Sequence, residues 1–217
     1  MPDSPADANR PQRVWNVPNQ VTVARIVLSL VLFALLSLQQ YLPALAVFVL
    51  AAGTDWVDGY WARKYGQITK LGRVLDPFAD KLIICGTFTY LAAAPRLADG
   101  SAASGVAAWM AVVILARELM VTALRAFVEG EGGDFSAKWA GKWKMVLQCA
   151  AACFSITVLS YLRRGGGEWA DGPPPQWMTL GLQATVWAAI GLTIYSAVGY
   201  VRAAWSQIVG GTPAAGS

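Results

Sequence analysis

Residues 177–201 form a run of 25 without one charged side chain. As an α-helix rising 1.5 Å per residue, such a run is longer than the roughly 30 Å hydrocarbon core of a bilayer. Five more stretches read as helices: 21–38, 42–63, 72–94, 102–127 and 145–162. The stretch 145–162 is also uncharged, and 102–127 is interrupted by Arg117 and Glu118. The second and third carry only 13 clean apolar residues each, 42–54 and 82–94. Lipid offers no partner to irregular backbone, so their polar ends must leave the membrane or line a watery cavity. Composition agrees, with 56% of the 217 residues hydrophobic and 14% charged. A soluble domain would carry about a quarter charged residues. The expected fold is all-α, a polytopic membrane protein with six transmembrane helices and both termini cytosolic.

The orientation follows from the cations, which favour the cytosolic side. Of the 17 Lys and Arg, only Arg96, Arg163 and Arg164 fall on the far side when the amino terminus is cytosolic. Residues 1–13 read as a disordered leader without the apolar stretch of a cleavable signal peptide. Residues 14–205 read as one six-helix domain, residues 206–217 as a flexible tail, and 163–175 as a far-side loop rich in Gly and Pro. The net charge of +4 follows membrane topology and does not point to nucleic acid. The chain has no histidine, which excludes Ser-His-Asp and Cys-His catalysis. Cys85, Cys149 and Cys153 lie in apolar runs and read as small buried hydrophobes.

Four aspartates stand against this apolar background. Asp55 and Asp58 are three apart, with Ala62 four further on, so they share a helix face. Gly72, Asp76 and Asp80 are spaced four and four and share another. The polar link 64–71 joins the two helices, so their cytosolic ends must meet. One aspartate within a transmembrane helix costs about 2.5–3.5 kcal/mol on insertion scales, and four together repel. Two divalent cations bridged by carboxylates would remove both problems. Oxygen ligands favour Mg²⁺ or Mn²⁺, and paired metals recur in phosphoryl chemistry. Gly59, Ala62 and Gly72 leave the helix faces open to a ligand, and Arg63 offers a planar fork to a phosphate. The plain alternative is a solvated acidic helix end with small residues placed for packing.

The whole pattern, D-x2-D-G-x2-A-R-x8-G-x3-D-x3-D, resembles the signature of the CDP-alcohol phosphotransferases, six-helix integral membrane enzymes. All eight signature positions are present. The resemblance implies transfer of a substituted phosphate from a CDP-linked donor to an alcohol, with release of CMP. It implies metal binding by Asp55, Asp58, Asp76 and Asp80, and a second role for Asp80 as the base that deprotonates the attacking hydroxyl. It implies CDP-lipid binding by Gly59, Ala62, Arg63 and Gly72. Thr69 matches a Ser/Thr that touches the donor in some members.

The acceptor must be read elsewhere. Arg117 and Arg125 are eight apart and lie on roughly one helix face, while Lys142 and Lys144 open the fifth span. Cations beyond those needed for CDP suggest a second anionic group, and the alternative is ordinary positive-inside decoration. Arg117 sits between apolar runs and needs a partner; Glu118, adjacent in sequence, points elsewhere on a helix. Four stretches resemble the bacterial phosphatidylglycerophosphate synthases. They begin at Asn16 (NVPNQVTVAR), Leu75 (LDPFADK), Ala116 (ARELMVTALR) and Gly141 (GKWKMVLQ). On the residues alone, Asn19 or Thr22 reads as a cap for the first helix. The resemblance implies CDP-diacylglycerol and glycerol 3-phosphate as substrates, with Lys81, Arg117, Arg125, Lys142 and Lys144 at the acceptor phosphate. It also implies a multi-pass enzyme of the bacterial cytoplasmic membrane, surrounded by membrane lipids, with its site facing the cytosol. Related enzymes are often homodimers, an analogy only.

Nearby rivals share the signature and differ in acceptor: phosphatidylglycerol in cardiolipin synthesis, inositol phosphate, or serine. The basic residues on the fourth and fifth spans discriminate among them. A small cation transporter is the rival of another class. Against it, the acids cluster at one membrane end, with no polar trail across the last two spans.

Overall fold

The computed structural model describes residues 17–65, 70–97, 100–130, 139–163 and 174–210. Within these, the side chains of 17–18, 55–74, 129, 139–140, 142 and 206–210 lie outside the described set. The leader 1–13, Thr69, Lys138, the tail from 211 and most of the loop 163–175 lie outside it too. The described residues are all-helical, in six helices: α1 (Val17–Ser37), α2 (Tyr41–Tyr65), α3 (Lys70–Ala92), α4 (Ala108–Gly130), α5 (Trp139–Leu162) and α6 (Gln176–Gly210).

Each expected span has its helix, and three boundaries move by six residues or more. Helix α4 begins at Ala108 rather than at 102, because Gly105 takes a left-handed φ of 69° that breaks a helix. A Cβ at Gly105 would also lie 2.8 Å from the Leu182 side chain. The Ser104 hydroxyl donates to Leu91 O at 2.6 Å and accepts from Val106 N at 3.2 Å, fixing this entry. Helix α5 begins at Trp139, which puts Lys142 and Lys144 within its first two turns. Helix α6 continues past Arg202 to Gly210. Three helices contain stretches long and apolar enough to cross a membrane: Asn19–Ser37, Trp143–Leu162 and Gln176–Trp205. A shorter apolar stretch, Tyr41–Thr54, lies in α2.

Helix α1 ends in a tight reversal. Gln39 adopts φ 57°, the Gln40 N–H donates to Leu35 O at 2.8 Å, and the Gln39 N–H donates to Leu36 O at 3.0 Å. These two bonds are those of a Schellman cap, which satisfies carbonyls the helix end would orphan. Contacting pairs then give the directions of the other helices. Thr22 meets Asp76, Arg25 meets Asp80 and Phe33 meets Tyr90, so α1 and α3 run parallel. Trp109 meets Trp187 and Arg117 meets Ser196, so α4 and α6 run parallel. Gly141 meets Tyr200, Gln148 meets Thr193 and Phe154 meets Gly181, so α5 and α6 run antiparallel.

The up-and-down order gathers the starts of α1, α3 and α5 and the ends of α2, α4 and α6 at one end of the bundle. The middle is apolar, with Leu32, Phe48, Phe88, Leu91, Ile114, Ile156 and Leu159 buried. Lipid is as apolar as these side chains, so close fit rather than dehydration must hold such helices together. Gly86 shows the fit: a Cβ there would stand 2.1 Å from Phe33 Cζ. The Phe33 ring fills the notch and stacks on Tyr90 at 5.4 Å.

Candidate active site

Two polar groups lie at that common end. The first is where α1 faces α3. Asp76 and Asp80 are four apart on α3, one turn apart on one face. Pro77, inside the helix between them, removes one backbone N–H from this turn. The Thr22 hydroxyl donates to Asp76 Oδ1. Arg25 Nη1 pairs with Asp80 Oδ1 at 2.7 Å. Thr22 and Arg25 are each only 3% exposed, whereas the Asp80 side chain keeps 33% of its surface and Asp76 is exposed. The carboxylates are thus gripped from beneath and open above.

Helix α2 returns from the Schellman turn toward the same end and carries Asp55, Asp58, Gly59, Ala62 and Arg63 on its last turns. Gly72 lies in the first turn of α3. The side chains of these residues lie outside the described set, so the convergence of all four aspartates does too. Among the described residues no three His, Cys, Asp or Glu side chains form a metal-sized group. The described donors, two carboxylates and the hydroxyl of Thr22, are all oxygen. That chemistry fits a hard divalent cation and does not fit a soft one.

The second group joins α4, α5 and α6, and it is buried. Arg117, Glu118 and Lys144 are 7%, 8% and 6% exposed. Arg117 Nη1 lies 3.3 Å from Glu118 Oε1, and Lys144 Nζ pairs with the same oxygen. Arg117 Nε donates to Ser196 Oγ at 3.3 Å, and its guanidinium lies 5.4 Å from the Tyr200 ring centroid. Ser196 donates to Thr193 O at 2.9 Å, and Gln148 Nε2 donates to Thr193 Oγ1 at 3.0 Å. A polar thread thus runs from Lys144 to Gln148 on α5 and from Ser196 to Thr193 on α6, where the sequence suggested no polar trail. The expectation that Glu118 points away from Arg117 fails. Adjacent Cβ atoms do diverge on a helix, but the long arginine side chain folds back to reach its neighbour.

Beside the second group lies a cleft of about 250 Å³, bounded by α3 and α4. Pro77, Lys81, Arg117, Glu118, Thr122 and Arg125 are among its walls. Lys81 Nζ donates to Pro77 O at 3.0 Å and stays at the cleft mouth. Of the five expected acceptor cations, Lys81, Arg117 and Arg125 meet here. Lys144 lies behind Glu118, and the Lys142 side chain is outside the described set. Sequence reasoning missed Thr22, Arg25 and Glu118 as parts of the site. Asn19, Thr22, Arg25 and Ser29, all buried, form a polar stripe at helical spacing on an apolar helix, and that stripe was the available signal.

A helical bundle of this hydropathy, with carboxylates on α3 and a cation-lined cleft between α3 and α4 at one end, suits an enzyme that handles anionic groups at a membrane. Comparison with known proteins specifies the class. The family pattern described as CDP-alcohol phosphatidyltransferase matches residues 15–195. A protein of Bacillus subtilis (strain 168) named CDP-diacylglycerol–glycerol-3-phosphate 3-phosphatidyltransferase is 34% identical over 157 residues, 64% of this chain and 75% of its own. A Pseudomonas fluorescens protein of the same name is 34% identical over 205 residues, 89% of this chain and 92% of its own. A protein of Oryza sativa subsp. japonica named cardiolipin synthase (CMP-forming) is 31% identical over 210 residues, 90% of this chain and 59% of its own. The chain belongs to the CDP-alcohol phosphatidyltransferase family. It is an enzyme of phospholipid synthesis that transfers a phosphatidyl group.

Proposed function

We propose that this enzyme moves the phosphatidyl group of CDP-diacylglycerol onto glycerol 3-phosphate, giving phosphatidylglycerophosphate and CMP. The observation that carries the choice of acceptor is the cleft walled by Lys81, Arg117, Glu118 and Arg125, with Lys81 next to Asp80 in sequence. Three cations against the one carboxylate of Glu118 leave the cleft positive, which suits a compact dianion such as glycerol 3-phosphate better than serine, a zwitterion of no net charge. Two named relatives act with that acceptor by name, while the cardiolipin synthase keeps phosphatidylglycerol as the second reading.

Each residue then has a task. Asp55, Asp58, Asp76 and Asp80 would hold two Mg²⁺ or Mn²⁺ ions, and the family is generally divalent-metal dependent. Bound metal supplies charge neutralisation on the pyrophosphate, which makes CMP a better leaving group. Gly59, Ala62, Arg63, Thr69 and Gly72 receive the CDP head. Lys81, Arg117 and Arg125 hold the acceptor phosphate, with Lys142 and Lys144 at the start of α5 nearby. Asp80 accepts the proton of the acceptor hydroxyl as the new P–O bond forms. Thr22 and Arg25 fix the two carboxylates of α3 at the end of the bundle where the cleft lies. We place the enzyme in a bacterial cytoplasmic membrane as six spans, with both termini and the site on the cytosolic side. That orientation keeps 14 of the 17 cations on the inner face and gives the soluble acceptor free access.

The deciding experiment is a membrane assay of CMP release from CDP-diacylglycerol. Glycerol 3-phosphate, phosphatidylglycerol, inositol phosphate and serine are offered in turn, with and without a metal chelator. Release with glycerol 3-phosphate alone, abolished by the chelator and restored by Mg²⁺ or Mn²⁺, is the expected result. A preference for phosphatidylglycerol selects the second reading, and turnover that survives chelation removes the metals.

A further inference from the structure

We propose that Glu118 is a positioning residue for the acceptor phosphate, and that Lys144 acts through Glu118 rather than by touching substrate. The proposal rests on the reading that Lys81, Arg117 and Arg125 receive an anionic acceptor. Its basis is a difference in placement among the cations. Arg117 and Glu118 wall the cleft, while Lys144 does not. Lys144 is buried with its ammonium on Glu118 Oε1, the same oxygen that lies 3.3 Å from Arg117 Nη1. One carboxylate therefore sits between two buried cations from different helices. Without it, Arg117 and Lys144 would be like charges in a low-dielectric interior, where removing one partner of an ion pair is strongly destabilising.

Arg117 is also fixed on two further sides. Ser196 Oγ accepts from its Nε at 3.3 Å, and Tyr200 lies under the guanidinium at 5.4 Å. An arginine ordered before the ligand arrives loses little rotamer freedom when it binds. Glu118 thus does two things. It neutralises one cation in the resting site, and it aims the fork of Arg117 into the cleft. Lys144 locks Glu118 in that pose from α5, which ties the acceptor pocket of α3 and α4 to the fifth helix.

The test uses the full-length enzyme in lipid vesicles, with KM measured separately for glycerol 3-phosphate and CDP-diacylglycerol. Glu118→Gln should raise the acceptor KM about tenfold or more, with the donor KM within about twofold. Glu118→Asp, which keeps the charge, should recover most of that loss. Lys144→Gln should also raise the acceptor KM. The double variant Glu118→Gln/Lys144→Gln should be no worse than the poorer single one, because the two act as a unit. An unchanged acceptor KM in Glu118→Gln, equal increases for both substrates, or an additive double variant would each overturn the proposal. If Glu118→Gln does not accumulate, Glu118→Asp and Ser196→Ala decide. Both keep every charge, each should raise the acceptor KM about two- to threefold, and no change in either is a failure. Wild-type enzyme that ignores glycerol 3-phosphate but uses another acceptor overturns the acceptor reading alone. The same variants measured with that acceptor then still judge Glu118.

Discussion

The two polar groups at the common end of the bundle solve opposite problems. Where α1 meets α3, the anchoring residues Thr22 and Arg25 are buried and the carboxylates they hold are open. Where α4, α5 and α6 meet, anchor and anchored alike are buried, and Glu118 answers Arg117 and Lys144 internally. The difference follows from what each group must do. On the proposed function these carboxylates take a metal and a proton, which needs an open side, so their support comes from below. A cation that must be aimed before its ligand arrives gains from burial, provided a counter-charge is buried with it. The acidic group is an exposed tool on a fixed base. The basic group is part of the interior, with one edge on the cleft.

The largest effect expected is at the open side. Asp80→Asn keeps the shape and removes the proposed proton acceptor, so turnover should fall about 10²- to 10⁴-fold, the usual worth of a positioned base. Binding of CDP-diacylglycerol should survive in part, read by retention of the variant on immobilised CDP or by its thermal shift with CDP-lipid. Activity within threefold of wild type would move the base elsewhere, leaving Asp80 only a partner for Arg25.

Next in size is the buried support. Arg25→Gln removes the guanidinium that meets Asp80 at 2.7 Å. Hydrogen bonds to charged groups contribute about 1.5–3 kcal/mol, so kcat should drop roughly ten- to hundredfold. The loss should fall on kcat, with the acceptor KM little changed, because Arg25 holds the base and not the phosphate. A rise in acceptor KM of the size expected for the cleft cations would erase the division between the two groups.

Much of this was legible in the sequence, for physical reasons that also mark where legibility ends. Helices α1 to α6 follow from apolar runs, because lipid forbids unsatisfied backbone. The start of α4 does not. Residues 102–107 have the composition of helix, and only the φ of Gly105 and its contact with Leu182 exclude them. Asp76 and Asp80 on one face follow from a spacing of four. Their partners Thr22 and Arg25 do not, since spacing shows a stripe but not what it faces. Glu118 was hardest. Its partner Lys144 is 26 positions away on another helix, and the local rule for adjacent residues argued against Arg117. The four-aspartate convergence depends on the side chains of Asp55 and Asp58, which lie outside the described residues.

The smallest effect on activity, and the sharpest control, comes from a site with no polar group. Gly86 lets α1 and α3 approach, and a Cβ there would meet Phe33 Cζ at 2.1 Å. Gly86→Ala must push the Phe33 ring off its stack with Tyr90, a strain that costs about 1–3 kcal/mol in well-packed interiors. The melting temperature in detergent should fall, as a scanning thermal assay would show. Yet Gly86 lies six residues beyond Asp80, about 9 Å along the helix, and the Thr22 and Arg25 contacts need not change. Below the unfolding range, kcat should stay within about twofold of wild type, since strained packing that spares the reacting groups leaves the barrier alone. If kcat instead falls as far as in Arg25→Gln, the spacing of α1 and α3 governs Asp80, and the polar grip is only its consequence.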